Sequence, residues 1–163
     1  MAFMRVLWCV VLVSFAPVCQ QAECPKCPPM WTFYNGYCYR LFGNAKTFSE
    51  AENHCQDFTN VGQGHLTSIA NAQENNLLFT VWKSTRGTAE GGLWIGFTDE
   101  VEEGNFIWTD KSVVNFTEWS DGQPDNYGGG EKCTHMWYGK YGEWNDIGCD
   151  NLFSYMCKMT AFL

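Results

Sequence analysis

Residues 123–149 read QPDNYGGGEKCTHMWYGKYGEWNDIGC, with amide and carboxylate side chains gathered at both ends. Gln123, Asp125 and Glu131 lie in the first part of this segment, and Asn145 and Asp146 lie just before Cys149. A hard divalent cation such as calcium takes about six to eight oxygen ligands from carboxylates, amides, backbone carbonyls and water. Such a set needs no thiolate or imidazole, which argues against zinc or copper. These five side chains are therefore candidate calcium ligands, although acidic loops are more often simply solvated.

The stretch before this segment is a long polar loop. Residues 98–130 are rich in Gly, Asp, Glu, Asn, Thr and Ser. A loop of about thirty residues is uncommon inside a compact domain and is usually functional or disordered. Scattered aromatic residues indicate that it is held against the domain: Phe106, Trp108, Phe116 and Trp119.

Local signals before the loop predict a hairpin and a helix. Tyr34-Asn35-Gly36-Tyr37 is typical of a tight turn between two strands. Thr47 and Glu50 have the spacing of a capping box, in which a hydroxyl and a carboxylate cap the first backbone N–H groups of a helix. Apolar residues follow at helical spacing, so the sequence predicts a helix over residues 47–58.

The remaining elements complete an α+β fold class. A second helix is predicted from near Asn71, with Glu74 three residues later and a buried face made of Leu77, Leu78, Val81 and Trp82. The apolar run 93–97 predicts a central strand. Further strands are predicted near 132–138, 141–145 and 152–158. We expect two helices packed against a small antiparallel sheet, with the long loop above it.

The N-terminus is typical of a secretory signal peptide over residues 1–22. Arg5 precedes an apolar stretch of about ten residues, and Ala22 is a small residue near the expected cleavage point. The stretch is shorter than the roughly 20 residues that span a bilayer, which argues against a membrane anchor. Residues 23–163 then form one exported, extracellular domain. The net charge of −8 gives no basic surface, so neither nucleic acid nor membrane insertion is expected.

The cysteine content indicates a disulfide framework. Cys9 and Cys19 lie in the signal segment, which leaves seven of the nine cysteines in an exported chain. An odd number leaves one thiol over. Cys24 and Cys27 have no matching second pair, and the three histidines are scattered, so a structural zinc site is disfavoured. No βαβ pattern follows these two cysteines, so a redox pair is also disfavoured.

Several motifs in order give the chain its family resemblance. They are Cys27-Pro-Pro-Met-Trp31, Cys38-Tyr-Arg40, Trp94-Ile95-Gly96, Gln123-Pro124-Asp125, Trp144-Asn145-Asp146 and the last three cysteines. Together they resemble a C-type lectin domain over about residues 27–158. The resemblance implies the bridges Cys27–Cys38, Cys55–Cys157 and Cys133–Cys149. It leaves Cys24 for an interchain disulfide in a homodimer, with capping by a small thiol as the alternative.

The same resemblance implies a calcium-dependent carbohydrate site. Its calcium ligands map onto Gln123, Asp125, Glu131, Asn145 and Asp146, with Pro124 in a cis peptide. Two neighbouring sugar hydroxyls would replace water on the metal and exchange hydrogen bonds with the same side chains. In this family Gln-Pro-Asp generally accompanies galactose-type ligands, and Glu-Pro-Asn accompanies mannose-type ligands. Tyr127, or else Trp137, is expected to stack on the apolar face of the sugar.

Two further features accompany this site. Many C-type lectins bind a second calcium ion, whose positions map onto Asp99, Glu103, Asn126 and Lys132. A cation at the last position predicts a weak second site. Separately, Asn115-Phe116-Thr117 is an N-glycosylation sequon in an exported chain.

Two other classes of function are alternatives to a lectin. An enzyme is disfavoured, because no nucleophile with a neighbouring base and no carboxylate pair in an evident cleft can be identified. The second alternative is a C-type lectin-like module that binds protein, mineral or ice without recognising sugar. Such relatives usually lack several calcium ligands, whereas this chain keeps all five. The sequence leaves open the exact glycan and the biological role, including innate recognition of cell surfaces.

Overall fold

The computed structural model describes residues 26–59, 62–86 and 91–162. The predicted signal segment 1–22 and Cys24 lie outside these ranges. Within them the chain forms two α-helices and eight strands. No helix in the described ranges combines the length and hydrophobicity needed to cross a membrane.

The predicted hairpin is confirmed at the start of the domain. Strands β1 (Thr32–Tyr34) and β2 (Tyr37–Lys46) pair antiparallel, with Tyr34 opposite Tyr37. Asn35 and Gly36 both have positive φ, at 46° and 85°. Asn and Gly accept this conformation readily, which explains why a two-residue turn forms here.

Both predicted helices are present. Helix α1 (Phe48–Gln56) has the complete capping box, since the Thr47 hydroxyl accepts from the Glu50 amide at 3.4 Å and the Glu50 carboxylate accepts from the Thr47 amide at 3.1 Å. Helix α2 (Ala72–Arg86) places Leu78 and Trp82 in the core, with Leu77 and Val81 half-buried beside them.

The sheet has the order β1-β2-β8-β4-β6-β7. Its later strands are β3 (His65–Leu66), β4 (Gly92–Thr98), β5 (Ile107–Trp108), β6 (Cys133–Trp137), β7 (Trp144–Ile147) and β8 (Phe153–Thr160). The prediction of a purely antiparallel sheet is wrong, because β4 and β8 are parallel, with Leu93 opposite Ser154. The long connection between these two strands permits that arrangement, since parallel neighbours need a crossover of about a dozen residues or more.

The strand predicted over 141–145 begins later than expected. Tyr141 and Gly142 have φ values of 58° and 93°, so they form a turn, and β7 starts at Trp144. The shift matters for the site because it leaves Asn145 and Asp146 in a strand, paired with His135 and Thr134 of β6.

The three expected disulfides are all present: Cys27–Cys38, Cys55–Cys157 and Cys133–Cys149. The second joins α1 to β8 across 102 residues of sequence. Closing a loop of that length restricts the unfolded chain strongly, by about 4–5 kcal/mol in the chain-entropy account. The third joins the start of β6 to the residues just after β7 and so fixes both strands beneath the long loop.

The long loop is held against β7 as the aromatic residues predicted. Trp144 is fully buried, and its indole N–H donates to the Asn75 side chain of α2 at 2.9 Å. Its backbone N–H donates to the Glu118 carbonyl at 2.7 Å, and its carbonyl accepts from the Ser120 amide at 2.9 Å. Trp119 packs edge-on against the same indole, with ring centroids 5.9 Å apart. These contacts bring the loop across β7 immediately before Gln123.

Candidate calcium site

Asp146, in strand β7, forms hydrogen bonds with the backbone of the long loop. Its side chain is 1% exposed, and its two carboxylate oxygens accept from the backbone N–H groups of Asp125 at 3.1 Å and Asn126 at 2.8 Å. A carboxylate that accepts two backbone N–H groups holds both residues firmly in place. Residues 125 and 126 are therefore fixed next to β7 in space, although they lie about twenty residues away along the chain.

Gln123 presents an unsatisfied oxygen to this region. The Gln123–Pro124 peptide is cis, as the resemblance implies. The backbone N–H of Gln123 donates to the backbone carbonyl of Ser120 at 2.9 Å. Its side-chain Oε1 is buried and has no hydrogen-bond partner among the described residues. A buried polar atom without a partner costs about 1–3 kcal/mol, so this oxygen is suited to a ligand such as a cation.

A tight turn returns the chain from Asn126 to Glu131. Asn126 has a φ of 43°, and Gly128 and Gly129 have φ values of 70° and 75°, conformations in which glycine carries little strain. The Tyr127 amide then donates to Glu131 Oε2 at 2.9 Å, and the Glu131 amide donates to Asn126 Oδ1 at 3.1 Å. The glycine run therefore brings Glu131 back to the loop that carries Asp125.

Three carboxylates converge at this point. One oxygen from each of Asp125, Glu131 and Asp146 lies within 4.8 Å of the others. Burial raises the pKa of Glu131, and the negative charges of Asp146 and Asp125 raise it further. A divalent cation would relieve this repulsion, and the all-oxygen donor set matches the preference of calcium.

Asn145 lies beside a residue that the sequence did not single out. Its Nδ2 is 2.5 Å from the Asp146 carbonyl oxygen and 3.2 Å from Nε2 of His135. His135 is 5% exposed, and burial lowers its pKa to about 4, so its ring is neutral near pH 7. No local signal marks this neighbour, because His135 lies opposite Asn145 through the register of the β6–β7 ladder, in which paired residues share a face.

The two candidate aromatic residues occupy different places. Tyr127 is 80% exposed on the loop and is attached to Glu131 through its backbone amide. Trp137 is 41% exposed at the far end of β6, with its ring centroid 6.3 Å from that of His135. Tyr127 is therefore the aromatic side chain on the loop that carries the carboxylates.

The structure also shows where the candidate residues for a second calcium ion and for glycosylation lie. Glu103 and Asn126 are joined, since Asn126 Nδ2 donates to Glu103 Oε1 at 2.7 Å, and the Lys132 ammonium contacts the other Glu103 oxygen. Asp99 is buried at the end of β4. Asn115 and Thr117 of the sequon are exposed, while Phe116 between them packs against Trp144.

The comparisons with known proteins agree with this geometry. The family model for the lectin C-type domain matches residues 44–159. This chain belongs to the C-type lectin family. It is 60% identical to the alpha-N-acetylgalactosamine-specific lectin of Patiria pectinifera, over 99% of both chains. It is 39% identical to echinoidin of Heliocidaris crassispina, over 83% of this chain and 98% of that one. Among solved structures, the C-type lectin CEL-I of Cucumaria echinata matches with a TM-score of 0.79 and 35% identity, over 83% of this chain and 98% of that one.

Family membership confirms the predicted fold and the predicted class of function. The fold is that of C-type lectins, with the helices, mixed sheet and disulfides described above. The chain is a carbohydrate-binding type of protein and not an enzyme. C-type lectin domains generally use calcium, in keeping with the cluster of oxygen ligands.

Proposed function

We propose that this chain binds galactose-type glycans through a calcium ion held by Gln123, Asp125, Glu131, Asn145 and Asp146. The observation that carries the proposal is the convergence of three carboxylates within 4.8 Å, beside a loop in which the Gln123 Oε1 has no hydrogen-bond partner among the described residues. Galactose and N-acetylgalactosamine are the terminal sugars that we expect.

The chemistry of binding follows from the donor and acceptor capacity of these side chains. When bound, calcium supplies an electrophilic point at which two neighbouring sugar hydroxyls replace water. Asp125 and Glu131 are acceptors only and accept hydrogen bonds from the sugar hydroxyls. Gln123 and Asn145 use their amide oxygens toward the cation and leave their NH₂ groups to donate to the sugar oxygens.

The side-chain amide of Asn145 must flip for this arrangement, so that Oδ1 and Nδ2 exchange places. Nδ2 of Asn145 now faces the Asp146 carbonyl, and an exchange of Oδ1 and Nδ2 would place two oxygens side by side. A cation favours such a pair, whereas without the cation the amide N–H group satisfies the carbonyl. The two ends of the amide have nearly the same shape, so the exchange requires no repacking.

Galactose-type specificity is supported by three features. The Gln-Pro-Asp order puts the amide first and the acid second around the metal. Tyr127 offers an exposed ring beside Glu131 for the apolar face of the sugar. The relative from Patiria pectinifera, which is 60% identical, is an N-acetylgalactosamine-specific lectin by name.

Removing the Tyr127 ring should weaken sugar binding without affecting calcium. A sugar face covering roughly 50 Å² of the ring gives about 1.2 kcal/mol, so Tyr127→Ala should weaken galactose binding about sevenfold. Calorimetric titration of both ligands measures this. Trp137→Ala is the comparison variant, and a loss confined to Trp137→Ala would assign stacking to Trp137 instead.

The alternative is a module of the same fold that recognises a protein or a mineral surface without sugar. Retention on galactose-agarose separates the two functions. The proposal predicts retention in calcium, elution by a chelator and elution by free galactose. Retention that survives the chelator, or no retention in calcium, would contradict it.

We further propose that residues 1–22 direct export and that residues 23–163 form a disulfide-linked homodimer through Cys24. Single sites of this shallow kind bind monosaccharides at roughly millimolar Kd, about 4 kcal/mol. Two linked sites gain avidity on a surface that displays many sugars, without any new contact. This gives the odd cysteine a function in the agglutination or recognition of cell-surface glycans.

Cys24→Ser should therefore abolish agglutination and leave single-site binding intact. We expect the variant to run as a monomer without reductant, while its Kd for galactose in calcium stays within about twofold of the original. Wild-type protein treated with a mild reductant is the matched control. A Cys24→Ser protein that still agglutinates cells would contradict the role of Cys24.

We also propose that Asn115 carries an N-linked glycan. Asn115 and Thr117 are exposed in a segment without regular structure, which leaves the sequon accessible. A mass decrease on treatment of the secreted protein with a peptide N-glycosidase, absent from Asn115→Gln, tests this.

A further inference from the structure

A lysine stands where many C-type lectins place an acid for a second calcium ion. Of the four positions that correspond to such a site, Asp99, Glu103 and Asn126 carry oxygens and the fourth is Lys132. An ammonium group a few ångströms from a divalent cation is strongly repelled. The residues present therefore do not fit a second calcium ion.

Lys132 is held firmly at its backbone. Its carbonyl oxygen accepts from the Asp99 amide at 3.2 Å and from the Thr98 hydroxyl at 2.7 Å, both at the end of β4. The start of its side chain is thereby fixed relative to the sheet. From there the ammonium reaches the carboxylate of Glu103, and 29% of the lysine side chain is exposed.

Hydrogen bonds connect Glu103 to the proposed principal calcium site. Glu103 Oε1 accepts from Asn126 Nδ2 at 2.7 Å, and Asn126 Oδ1 accepts from the Glu131 amide at 3.1 Å. The Asn126 backbone N–H also donates to Asp146 at 2.8 Å. Two side chains therefore connect the ammonium of Lys132 to Glu131 and to the segment that Asp146 holds.

Asp99 gives a second, independent reason for a cation here. It is 1% exposed, and while its Oδ2 accepts from the Gly104 amide at 2.7 Å, its Oδ1 has no hydrogen-bond partner in the described part of the chain. A buried carboxylate needs a nearby positive charge. The Lys132 carbonyl oxygen accepts from the Asp99 amide at 3.2 Å, so this lysine is the residue that can bring a positive charge here.

We propose that Lys132 is a built-in cation that replaces the second calcium ion and holds Glu103, Asn126 and Glu131 in the binding geometry. This inference rests on the proposed function, because the role of Glu131 comes from it. Lys132 is a positioning residue: it acts on calcium and sugar through Glu131 and touches neither. The loop is consequently ordered at calcium concentrations that fill the principal site alone.

Calcium counting and amide exchange test the inference. The proteins are the wild type, Lys132→Met, Lys132→Asp and the charge-matched control Lys83→Met, which alters an exposed lysine of α2. Calorimetry with native mass spectrometry should count one calcium in the wild type and two in Lys132→Asp. If Lys132→Met lowers the ordered fraction of the loop to about one fifth, its calcium affinity falls about fivefold. Lys83→Met should match the wild type.

Hydrogen exchange in calcium-free buffer gives a readout that needs neither ligand. The amides of Tyr127 and Glu131 should exchange at least about fivefold faster in Lys132→Met than in the wild type or Lys83→Met, because exchange follows the open fraction of the loop. Two calcium ions in the wild type, one in Lys132→Asp, or unchanged exchange and affinity in Lys132→Met would each overturn the role of Lys132. A wild-type protein that binds no calcium would instead overturn the proposed function itself.

Discussion

Replacing Asp146 with asparagine is expected to weaken calcium binding by at least about 100-fold and to abolish retention on galactose-agarose. The side chain belongs to the cluster of three carboxylates and also fixes the backbone of Asp125 and Asn126. Loss of a group that only supports a metal ligand costs about 10–100-fold in affinity, and Asp146 both supports and ligates. Calorimetric titration with calcium measures the change.

Asp150→Asn is the matched control for this variant. It makes the same change of charge four residues along, at an exposed position after the Cys133–Cys149 bridge. Near-ultraviolet circular dichroism shows whether the aromatic core around Trp144 is intact in both proteins. A folded Asp146→Asn protein that binds calcium as tightly as Asp150→Asn would remove Asp146 from the site.

Exchanging the amide and the acid of the Gln-Pro-Asp motif is expected to reverse the sugar preference. The double variant Gln123→Glu/Asp125→Asn keeps the net charge and the number of oxygen ligands, so calcium should bind with similar affinity. The donor and acceptor sides around the metal change places, however, and each galactose hydroxyl then meets a mismatched partner. One mismatched charged hydrogen bond costs about 1.5–3 kcal/mol, which is about tenfold or more in galactose affinity.

Titration of galactose and mannose into the same protein preparations measures the reversal. We expect mannose to bind more tightly than galactose to the double variant and the opposite order in the wild type. The unchanged calcium titration serves as the internal control for folding. A double variant that retains calcium and still prefers galactose would show that the motif does not set the specificity.

Local signals in the sequence predicted much of the fold. The Thr47–Glu50 capping box and the Asn35-Gly36 turn depend on neighbours within about four residues, so the sequence specifies them directly. The three disulfide pairings came instead from the family resemblance, because spacing alone does not determine connectivity.

Features that depend on distant contacts could not be read in the same way. The parallel pairing of β4 with β8 is set by the packing of the whole sheet. The apolar run of β4 indicates burial on both faces but not the direction of the neighbouring strands. The turn at Tyr141 and Gly142 depends on two positive φ values, which the prediction of a strand over 141–145 does not anticipate. Nothing in the sequence places His135 near the candidate site. Its proximity to Asn145 depends on the register of β6 and β7.

The candidate site shows the same division. Four of its five oxygen donors could be named from the sequence because they lie in two short motifs, and the fifth, Glu131, follows the first motif by six residues. The three-dimensional arrangement was needed to find the buried oxygens of Gln123 and Asp99, which have no hydrogen-bond partner among the described residues. It was also needed to find the connection from Lys132 through Glu103 to Asn126.

The most direct test of calcium-dependent sugar binding is a calorimetric titration of N-acetylgalactosamine into one preparation under three conditions: with calcium, after chelation, and after calcium is restored. We expect roughly millimolar binding with calcium, no heat of binding after chelation, and full recovery when calcium returns. Binding of the same strength in the chelated protein, or no binding in the presence of calcium, would contradict the account.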